Sequence, residues 1–178
     1  MEKINILLNG FLLLAFSPLM AQLKFTDISS EAGIRHVYKV HEGLFGGGAC
    51  VFDFNKDGWE DLYITGGKNS DQLYKNNGDG TFSEMLEAAG LTTTRNYVTN
   101  GVASADINRD GWPDLVVTTM TTIKNPPAIP RAINLIFLNN GKGGFLDVTE
   151  EFGFGKLLSF STGASFGDIN ADGWPDLY

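Results

Sequence analysis

A short acidic segment occurs three times in this chain. The copies read DFNKDGWEDLY from Asp53, DINRDGWPDLV from Asp106 and DINADGWPDLY from Asp168, and seven of the eleven positions are identical in all three. Recurrence at intervals of about 60 residues indicates one supersecondary unit that stacks on copies of itself. We therefore expect a repeat protein in which the same chemistry appears once in each unit.

Two further markers recur in phase with the acidic segment. They are FTDISSEAGI, FSEMLEAAGL and FLDVTEEFGF, from Phe25, Phe82 and Phe145, and LYKNNGDGTF and IFLNNGKGGF, from Leu73 and Ile136. The second interval is longer than the first because a Pro-rich insert occupies residues 124–131. An insert of this composition is typical of a loop between strands.

The local patterns within each repeat favour strands. Short runs of small and apolar residues lead into the acidic segments at 48–54, 101–107 and 163–169, and apolar or β-branched runs leave the first two at 62–65 and 115–119. NNGDG and NNGKGG are hairpin turns, because Asn and Gly tolerate positive φ. Each unit then holds about four short strands, which predicts an all-β fold of β-propeller blades.

The first acidic loop, 53–61, offers alternating oxygen donors. Positions 1, 3, 5 and 9 carry side-chain oxygens and position 7 can supply a main-chain carbonyl: Asp53, Asn55, Asp57, Asp61 and Trp59, respectively. Gly58 at position 6 allows the backbone to turn sharply, as in calcium loops. An EF-hand would need Glu at position 12, where Ile64 stands, and helices on both sides, so Asp61 is the predicted closing ligand.

The loops at 106–114 and 168–176 repeat this donor set. Their candidate ligands are Asp106, Asn108, Asp110, Trp112 and Asp114, and Asp168, Asn170, Asp172, Trp174 and Asp176. Donors that are all oxygen disfavour zinc and copper, and five protein ligands suit Ca²⁺ better than Mg²⁺. The alternative is a set of Asp/Asn/Gly turns with solvated charges. Because the loop recurs in every repeat, we expect the metal to be structural, not catalytic.

The combination of FGGGACVFDFNKDGWEDLY, LYKNNGDGTF and FTDISSEAGI resembles the FG-GAP/VCBS repeats of integrin-alpha-like β-propellers. It is most similar to the secreted branch that includes cartilage acidic protein and the ASPIC/UnbV-type bacterial proteins. The resemblance covers nearly all of residues 23–178. It implies a calcium-binding, seven-bladed propeller used for adhesion or for binding proteins and glycans, with calcium ligands in the three loops. The chain departs from the family in having three motif copies and no ASPIC/UnbV C-terminal region.

Composition excludes several classes of protein. The 178 residues include 21 acidic against 13 basic side chains, a net charge of −8, so a generally basic nucleic-acid binder is excluded. Hydrophobic residues make up 43% of the chain, enough to build a core. The single cysteine, Cys50, rules out an intramolecular disulfide scaffold and a multi-cysteine zinc site.

Other candidate sites are weaker. His36 and His41 lie in one segment, and a catalytic pair of a histidine with Glu42 lacks an accompanying Ser or Cys nucleophile motif. Cys50 aligns with Ala103 and Ser165 and is expected to be a buried, inert thiol. For the loop tryptophans, packing that braces each loop is favoured over a platform for sugar stacking.

The first segment is predicted to be a targeting signal. Residues 1–21 read MEKINILLNGFLLLAFSPLMA, with a polar start, an apolar stretch and Ala21 at the expected cleavage site. The apolar stretch is too short and interrupted for a spanning helix. We expect a protein without a membrane span after cleavage that is secreted, periplasmic or at the cell surface. Residues 22–178 are expected to be a repeat region of about two and a half to three blades, truncated at the C-terminus of a longer propeller.

The function that these features predict is an exported, calcium-binding, non-enzymatic propeller module that binds an extracellular protein or glycan. The alternative is the propeller portion of an extracellular carbohydrate-active enzyme, such as a polysaccharide lyase. A lyase would need a non-repeated cluster of basic and acid/base residues in a cleft, and the sequence does not show one.

Overall fold

A computed structural model describes residues 24–40, 46–129 and 131–178. The predicted signal at 1–21, and His41 with Glu42, lie outside the described residues. The first complete repeat forms a four-stranded antiparallel sheet with strand order β1-β2-β3-β4. Its strands are β1 Ala49–Phe52, β2 Asp61–Ile64, β3 Gln72–Asn76 and β4 Phe82–Glu84. The acidic loop joins the first two strands, and the NNGDG turn joins the last two, as predicted.

The second repeat forms the same sheet with longer inner strands. Its order is β5-β6-β8-β9, with β5 Tyr97–Ala105, β6 Asp114–Thr122, β8 Leu135–Asn139 and β9 Phe145–Asp147. After β6, the Pro-rich insert forms a loop, as predicted, and the chain then returns to the sheet through the short strand β7 Ala132–Ile133. Two antiparallel four-stranded meanders in succession confirm the prediction of all-β propeller blades.

The third repeat contributes an opening hairpin. Strand β10 Leu158–Ser159 pairs with β7, and β11 Phe166–Gly167 pairs with β12 Asp176–Leu177 around the third acidic loop. Two 3₁₀ helices, Thr92–Asn96 and Phe154–Lys156, precede β5 and β10. Across the described part of the chain there is no α-helix, nor any helix long and apolar enough to cross a membrane. The described strands form an incomplete propeller and do not close a ring.

Alternating side chains on the blades build the core. Leu115 and Val117 on β6 face a cluster that lies between the two complete blades, together with Phe52, Tyr63 and Leu73 from the first blade. Val116, one residue out of phase, points to the opposite face and packs in a second cluster against the hairpin of the third repeat. The period of two residues therefore gives the central blade two buried faces, as stacked blades require.

A glycine five residues before each acidic loop lets the innermost strands approach closely. A Cβ on Gly48 would lie 3.0 Å from Cα of Gly101, and a Cβ on Gly101 would lie 2.7 Å from Cα of Gly163. Both distances leave no room for a side chain. These repeated glycines thus set the spacing of neighbouring blades, and with it the spacing of the acidic loops.

The second sequence marker links each blade to the next one. The main-chain carbonyl of Ala89, in the turn after β4, accepts a hydrogen bond of 2.8 Å from the Phe145 N–H on the outer strand of the second blade. Residue Ala32 makes the same 2.8 Å bond to Phe82 on the first blade. Residues 25–34 therefore occupy on the first blade the place that 82–91 occupy on the second.

Candidate metal centre

The three acidic loops share one backbone conformation. Position 4 has a left-handed, non-glycine residue in every loop: Lys56, Arg109 and Ala171, with φ of 54°, 59° and 58°. Position 6 is a glycine with φ of 88°, 91° and 84°: Gly58, Gly111 and Gly173. Glycine reaches such angles without the steric cost that a Cβ imposes. The sequence identity of the loops therefore extends to their geometry.

The carboxylates at positions 1 and 5 fold back on their own loop. In the first loop, Asp53 accepts hydrogen bonds from the N–H groups of Asp57 and Gly58 at 3.1 and 2.8 Å. Asp57 accepts one from the Trp59 N–H at 3.0 Å and another from the Asn55 side-chain amide at 3.0 Å. The bonds from position 6 to position 1 and from positions 3 and 7 to position 5 recur in the other two loops. Positions 1, 3 and 5 are thus held together in all three.

The aspartate at position 9 anchors the loop to the blade. Asp61 is fully buried, and its two oxygens accept hydrogen bonds from the Phe54 and Asn76 N–H groups at 3.1 and 2.8 Å. Asp114 repeats this arrangement with Ile107 and Asn139, both at 2.8 Å. Burial raises the pKa of both carboxyl groups, and the other two aspartates of each loop raise it further.

The third position-9 residue, Asp176, accepts a hydrogen bond from the Ile169 N–H at 2.9 Å. This bond corresponds to those that Asp61 and Asp114 accept from Phe54 and Ile107. The sequence assigned position 9 the role of closing ligand. In the structure this residue has a second role, because it joins the loop to the strands beside it. Its role as a ligand stays a prediction.

The tryptophan at position 7 packs on a hairpin turn of its own blade. The Trp59 ring lies against Gly78, and the Trp112 ring against Gly141, with distances of 2.8 and 3.0 Å from the indole nitrogen to a Cβ built on each glycine. This favours the bracing role over sugar stacking, although Trp59 and Trp174 remain 52% and 47% exposed. The predicted use of the three Trp carbonyl oxygens as ligands stays a prediction.

The first loop also holds a lysine. Lys75 on β3 places its Nζ atom 2.7 Å from Oδ2 of Asp57, and both side chains are about one-third exposed, at 32% and 31%. This contact lowers the pKa of the Asp57 carboxyl and raises that of the Lys75 ammonium group. Lys75 was not singled out from the sequence, because it lies outside the acidic loop, at a position of the LYKNNGDGTF marker that is Leu138 in the next copy.

The donor chemistry of the loops suits a hard cation. Within the described ranges, no three His, Cys, Asp or Glu side chains lie close enough together to form a preformed metal-binding site. The available side-chain donors in the loops are all oxygen, and Oδ1 of Asp106 is buried without a hydrogen-bond partner, so it has an acceptor position to offer. Oxygen donors of this kind are those that Ca²⁺ prefers. The residues present therefore fit Ca²⁺.

Two other candidates behave as ordinary structural residues. Cys50 was expected to be buried and is only half-buried on β1, because this strand lies at the edge of its sheet; partial burial still raises the pKa of its thiol. Burial lowers the pKa of His36, and the Thr65 main chain and the Asp71 carboxylate raise it by less. Among the described residues, neither side chain forms a hydrogen bond with an acid or base that would activate it for catalysis.

A buried carboxylate, Asp71, was missed by the sequence reading. It accepts hydrogen bonds from the Tyr63 hydroxyl at 2.6 Å, the Gly66 N–H at 2.7 Å and the Thr99 hydroxyl of the next blade. Asn134 fills the equivalent place in the second blade, where it binds Thr119 N–H and the Ser161 hydroxyl at 3.0 Å each. The same repeat position is Asp in one blade and Asn in the next, so the sequence comparison did not show that both residues link neighbouring blades.

Comparison with known proteins extends the similarity seen in the motifs. The profile of the "FG-GAP-like repeat" matches residues 53–117 and 129–178, which include all three acidic loops. Cartilage acidic protein 1 of Homo sapiens is 29% identical over 126 residues, which cover 71% of this chain and 17% of that protein.

Similar relatives include an integrin chain. Integrin alpha-6 of Gallus gallus is 29% identical over 97 residues, 54% of this chain and 9% of the integrin. Cartilage acidic protein 1 of Xenopus tropicalis is 28% identical over 122 residues, 68% of this chain and 18% of that protein. The chain thus spans less than a fifth of the length of each of these relatives.

Proposed function

This chain belongs to the FG-GAP-like repeat family, and from that premise we propose that it is an exported, calcium-stabilised β-propeller module. It binds an extracellular protein or glycan and has no enzymatic activity of its own. The similarity to cartilage acidic protein 1 and to integrin alpha-6 supports an adhesion-type module. The apolar N-terminal stretch, residues 1–21, supports export to the periplasm, the cell surface or the medium.

The recurrence of one loop geometry is the observation that carries the calcium proposal. Each loop holds the side chains of positions 1, 3 and 5 together through the same hydrogen bonds, and the position-9 aspartate is fully buried in the first two loops. Unit charges about 4 Å apart repel by about 4 kcal/mol at an effective dielectric constant near 20, before relaxation. A divalent cation converts this repulsion into attraction, so the loops gain stability when they bind one.

The expected size of the effect follows from mass action. Extracellular calcium modules have dissociation constants of about 10⁻⁴ M, and at about 1 mM free Ca²⁺ each site would stabilise the fold by about 1.4 kcal/mol. Three such sites are comparable with the lower end of the free energy of unfolding of a whole domain. Calcium on this scale would keep the stacked blades folded.

The alternative of a polysaccharide lyase receives less support. A cavity of about 370 Å³ in the described part of the chain is lined by Asp147, Glu150 and Glu151 beside Tyr97. Carboxylates repel the uronic acids that such enzymes cleave, and a lyase cleft needs basic groups to bind them. A screen of uronic-acid polysaccharides for calcium-dependent cleavage tests this point, and turnover by the purified protein would contradict the non-enzymatic proposal.

Terbium luminescence tests the metal sites directly, because each loop carries a tryptophan that can sensitise a bound lanthanide. We expect Trp-sensitised emission that Ca²⁺ competes away, and a melting temperature that rises when calcium replaces a chelator. A matched pair of variants, Asp110→Asn in the second loop and Asp79→Asn in an exposed turn, separates loop binding from general charge. Asp110→Asn should remove one site and Asp79→Asn none. Absence of emission from the folded protein would refute the proposal.

A further inference from the structure

The first loop differs from the second in one charged contact. Lys75 Nζ lies 2.7 Å from Asp57 Oδ2, the position-5 carboxylate that the proposed cation would bind. The oxygen it contacts also accepts the Asn55 amide at 3.0 Å. A protonated amine therefore already neutralises part of the charge that would attract a metal to this loop.

The second loop has no such contact. Strand pairing places Lys75 opposite Ser83 on the first blade, and the equivalent pair on the second blade is Leu138 opposite Leu146. Leu138 packs against the apolar cluster around Ile136 and carries no charge. Apart from the Lys75–Asp57 contact, the described residues form one other ion pair, between Arg95 and Glu87, away from the loops.

The basic residues at position 4 do not take the place of Lys75. Lys56 Nζ lies 4.9 Å from the centroid of the Trp112 ring, and Arg109 Cζ lies 5.0 Å from that of Trp174. Both cations stack on indole faces, and among the described residues neither forms an ion pair with a loop carboxylate, although the Arg109 charge lowers the pKa of Asp172 in the third loop. Lys75 is thus the one ammonium group in the described structure that contacts a candidate ligand.

We propose that Lys75 is a built-in competitor for the cation of the first loop, which makes this loop a weaker and more salt-sensitive calcium site than the second. The proposal rests on the proposed function, since it concerns the affinity of the same loops. Because about one-third of the Lys75 side chain is exposed, the ammonium group can swing into solvent when a cation binds Asp57. Occupation of the loop by Lys75 and occupation by Ca²⁺ are then alternatives.

The size of the effect follows from charge. The positive charge of Lys75 opposes a divalent ion bound at Asp57, and release of the partly exposed ion pair makes a smaller contribution. Movement of the lysine away from the metal reduces the first contribution. We therefore expect Lys75 to weaken metal binding at the first loop by about tenfold.

A reciprocal exchange of the two residues tests the proposal. Lys75→Met removes the charge and keeps most of the aliphatic stem, and Leu138→Lys introduces a lysine at the matched position of the second blade. Terbium emission from a single loop requires that only this loop keeps its tryptophan. Lys75→Met is therefore made in a background with Trp112→Phe and Trp174→Phe, and Leu138→Lys in a background with Trp59→Phe and Trp174→Phe. Each variant is compared with its own background by terbium titration with Trp excitation and by competition with Ca²⁺.

Lys75→Met should raise the affinity of the first loop about tenfold, and Leu138→Lys should lower that of the second by a similar factor. Affinities that stay within about twofold would overturn the proposal while leaving the metal sites in place. Absence of terbium emission from both backgrounds would instead refute the proposed function, and this proposal with it. The two failures are therefore distinguishable.

The melting temperature gives a second readout that does not depend on terbium. In chelator, Lys75→Met should melt lower than the parent, because Asp57 loses its counter-ion. In calcium the order should reverse, since the metal now binds the first loop without competition. A purely structural lysine would lower the melting temperature under both conditions, and that result would contradict the proposal.

Discussion

Lys56 Nζ lies 4.9 Å from the centroid of the Trp112 ring, so position 4 of the first loop contacts position 7 of the second. Arg109 and Trp174 repeat the relationship between the second and third loops at 5.0 Å. The backbone at position 4 is left-handed in each loop, and this conformation presents the basic side chain to the neighbouring blade. The acidic loops therefore form a connected row along one end of the blades.

Removal of the Lys56 charge should weaken this connection measurably. Lys56→Met keeps the length of the side chain but loses the attraction of a cation to the indole face, which is worth about 0.5–1 kcal/mol at an exposed site. Urea unfolding should show a loss of this size in the free energy of unfolding. A double-mutant cycle with Trp112→Phe should recover most of it as coupling, whereas Lys124→Met in the exposed insert should show none.

Substitution of the glycines on the inner strands should test how closely neighbouring blades pack. Gly101→Ala places a Cβ 2.7 Å from Cα of Gly163 and 2.9 Å from the Thr118 hydroxyl, so the blades must shift apart. We expect a loss of about 1–3 kcal/mol in the free energy of unfolding. Gly163→Ala is the matched control, because its Cβ would meet no atom within 4 Å. Equal effects of the two substitutions on the urea midpoint would contradict close packing at Gly101.

Much of the fold was predictable because the repeat shows the same pattern three times. The strands on either side of the acidic loops, the NNGDG and NNGKGG turns and the loop at 124–131 all follow from local composition. The contacts between blades were not predictable in this way. Lys56, Arg109 and Ala171 share a position but not a chemistry, so the row of cation–indole contacts appears only when neighbouring blades are placed side by side.

The candidate site was predictable to a similar extent. The residue types of positions 1, 3, 5 and 9 follow from the motif, and the structure gives the first three a common geometry. The anchoring role of Asp61 was not visible, because its partner Asn76 lies on a strand fifteen residues later. Lys75 was missed because it acts on the acidic loop from the LYKNNGDGTF marker, at a position that is Leu138 in the next copy.

Positions 5 and 9 should respond differently to loss of charge. Asp114 is fully buried and accepts two main-chain N–H groups, so Asp114→Asn sets an amide against a donor and should lose about 1–3 kcal/mol of stability in chelator. Asp110 is exposed, and Asp110→Asn should change stability by less than about 0.5 kcal/mol without metal. Chemical unfolding in chelator measures both values. Similar losses for the two variants would contradict the anchoring role of position 9.

The buried carboxylate of Asp71 should give a pH-dependent stability of definite sign. Burial raises the pKa of this carboxyl in the folded protein above the ordinary aspartate value of about 3.9. The folded state therefore holds the proton more tightly, and the contribution of Asp71 to stability falls as the pH rises from about 3.9 through the folded pKa. Above that window the contribution is constant and at its lowest.

Asp71→Asn tests this prediction, because Asn134 already makes the corresponding link in the second blade. The amide oxygen can keep the Gly66 N–H and the Thr99 hydroxyl, which both bind Oδ1 of Asp71, and the amide nitrogen can donate to the Tyr63 hydroxyl, so the variant should fold, but it cannot titrate. From about pH 4 to about pH 7, urea unfolding should show the parent losing stability relative to the variant. Because the His36 charge acts on Asp71 and burial lowers the pKa of His36 itself, both proteins also carry His36→Gln in a second series. A parent that gains stability relative to the variant as the pH rises would show that the three donated hydrogen bonds outweigh burial at this carboxylate.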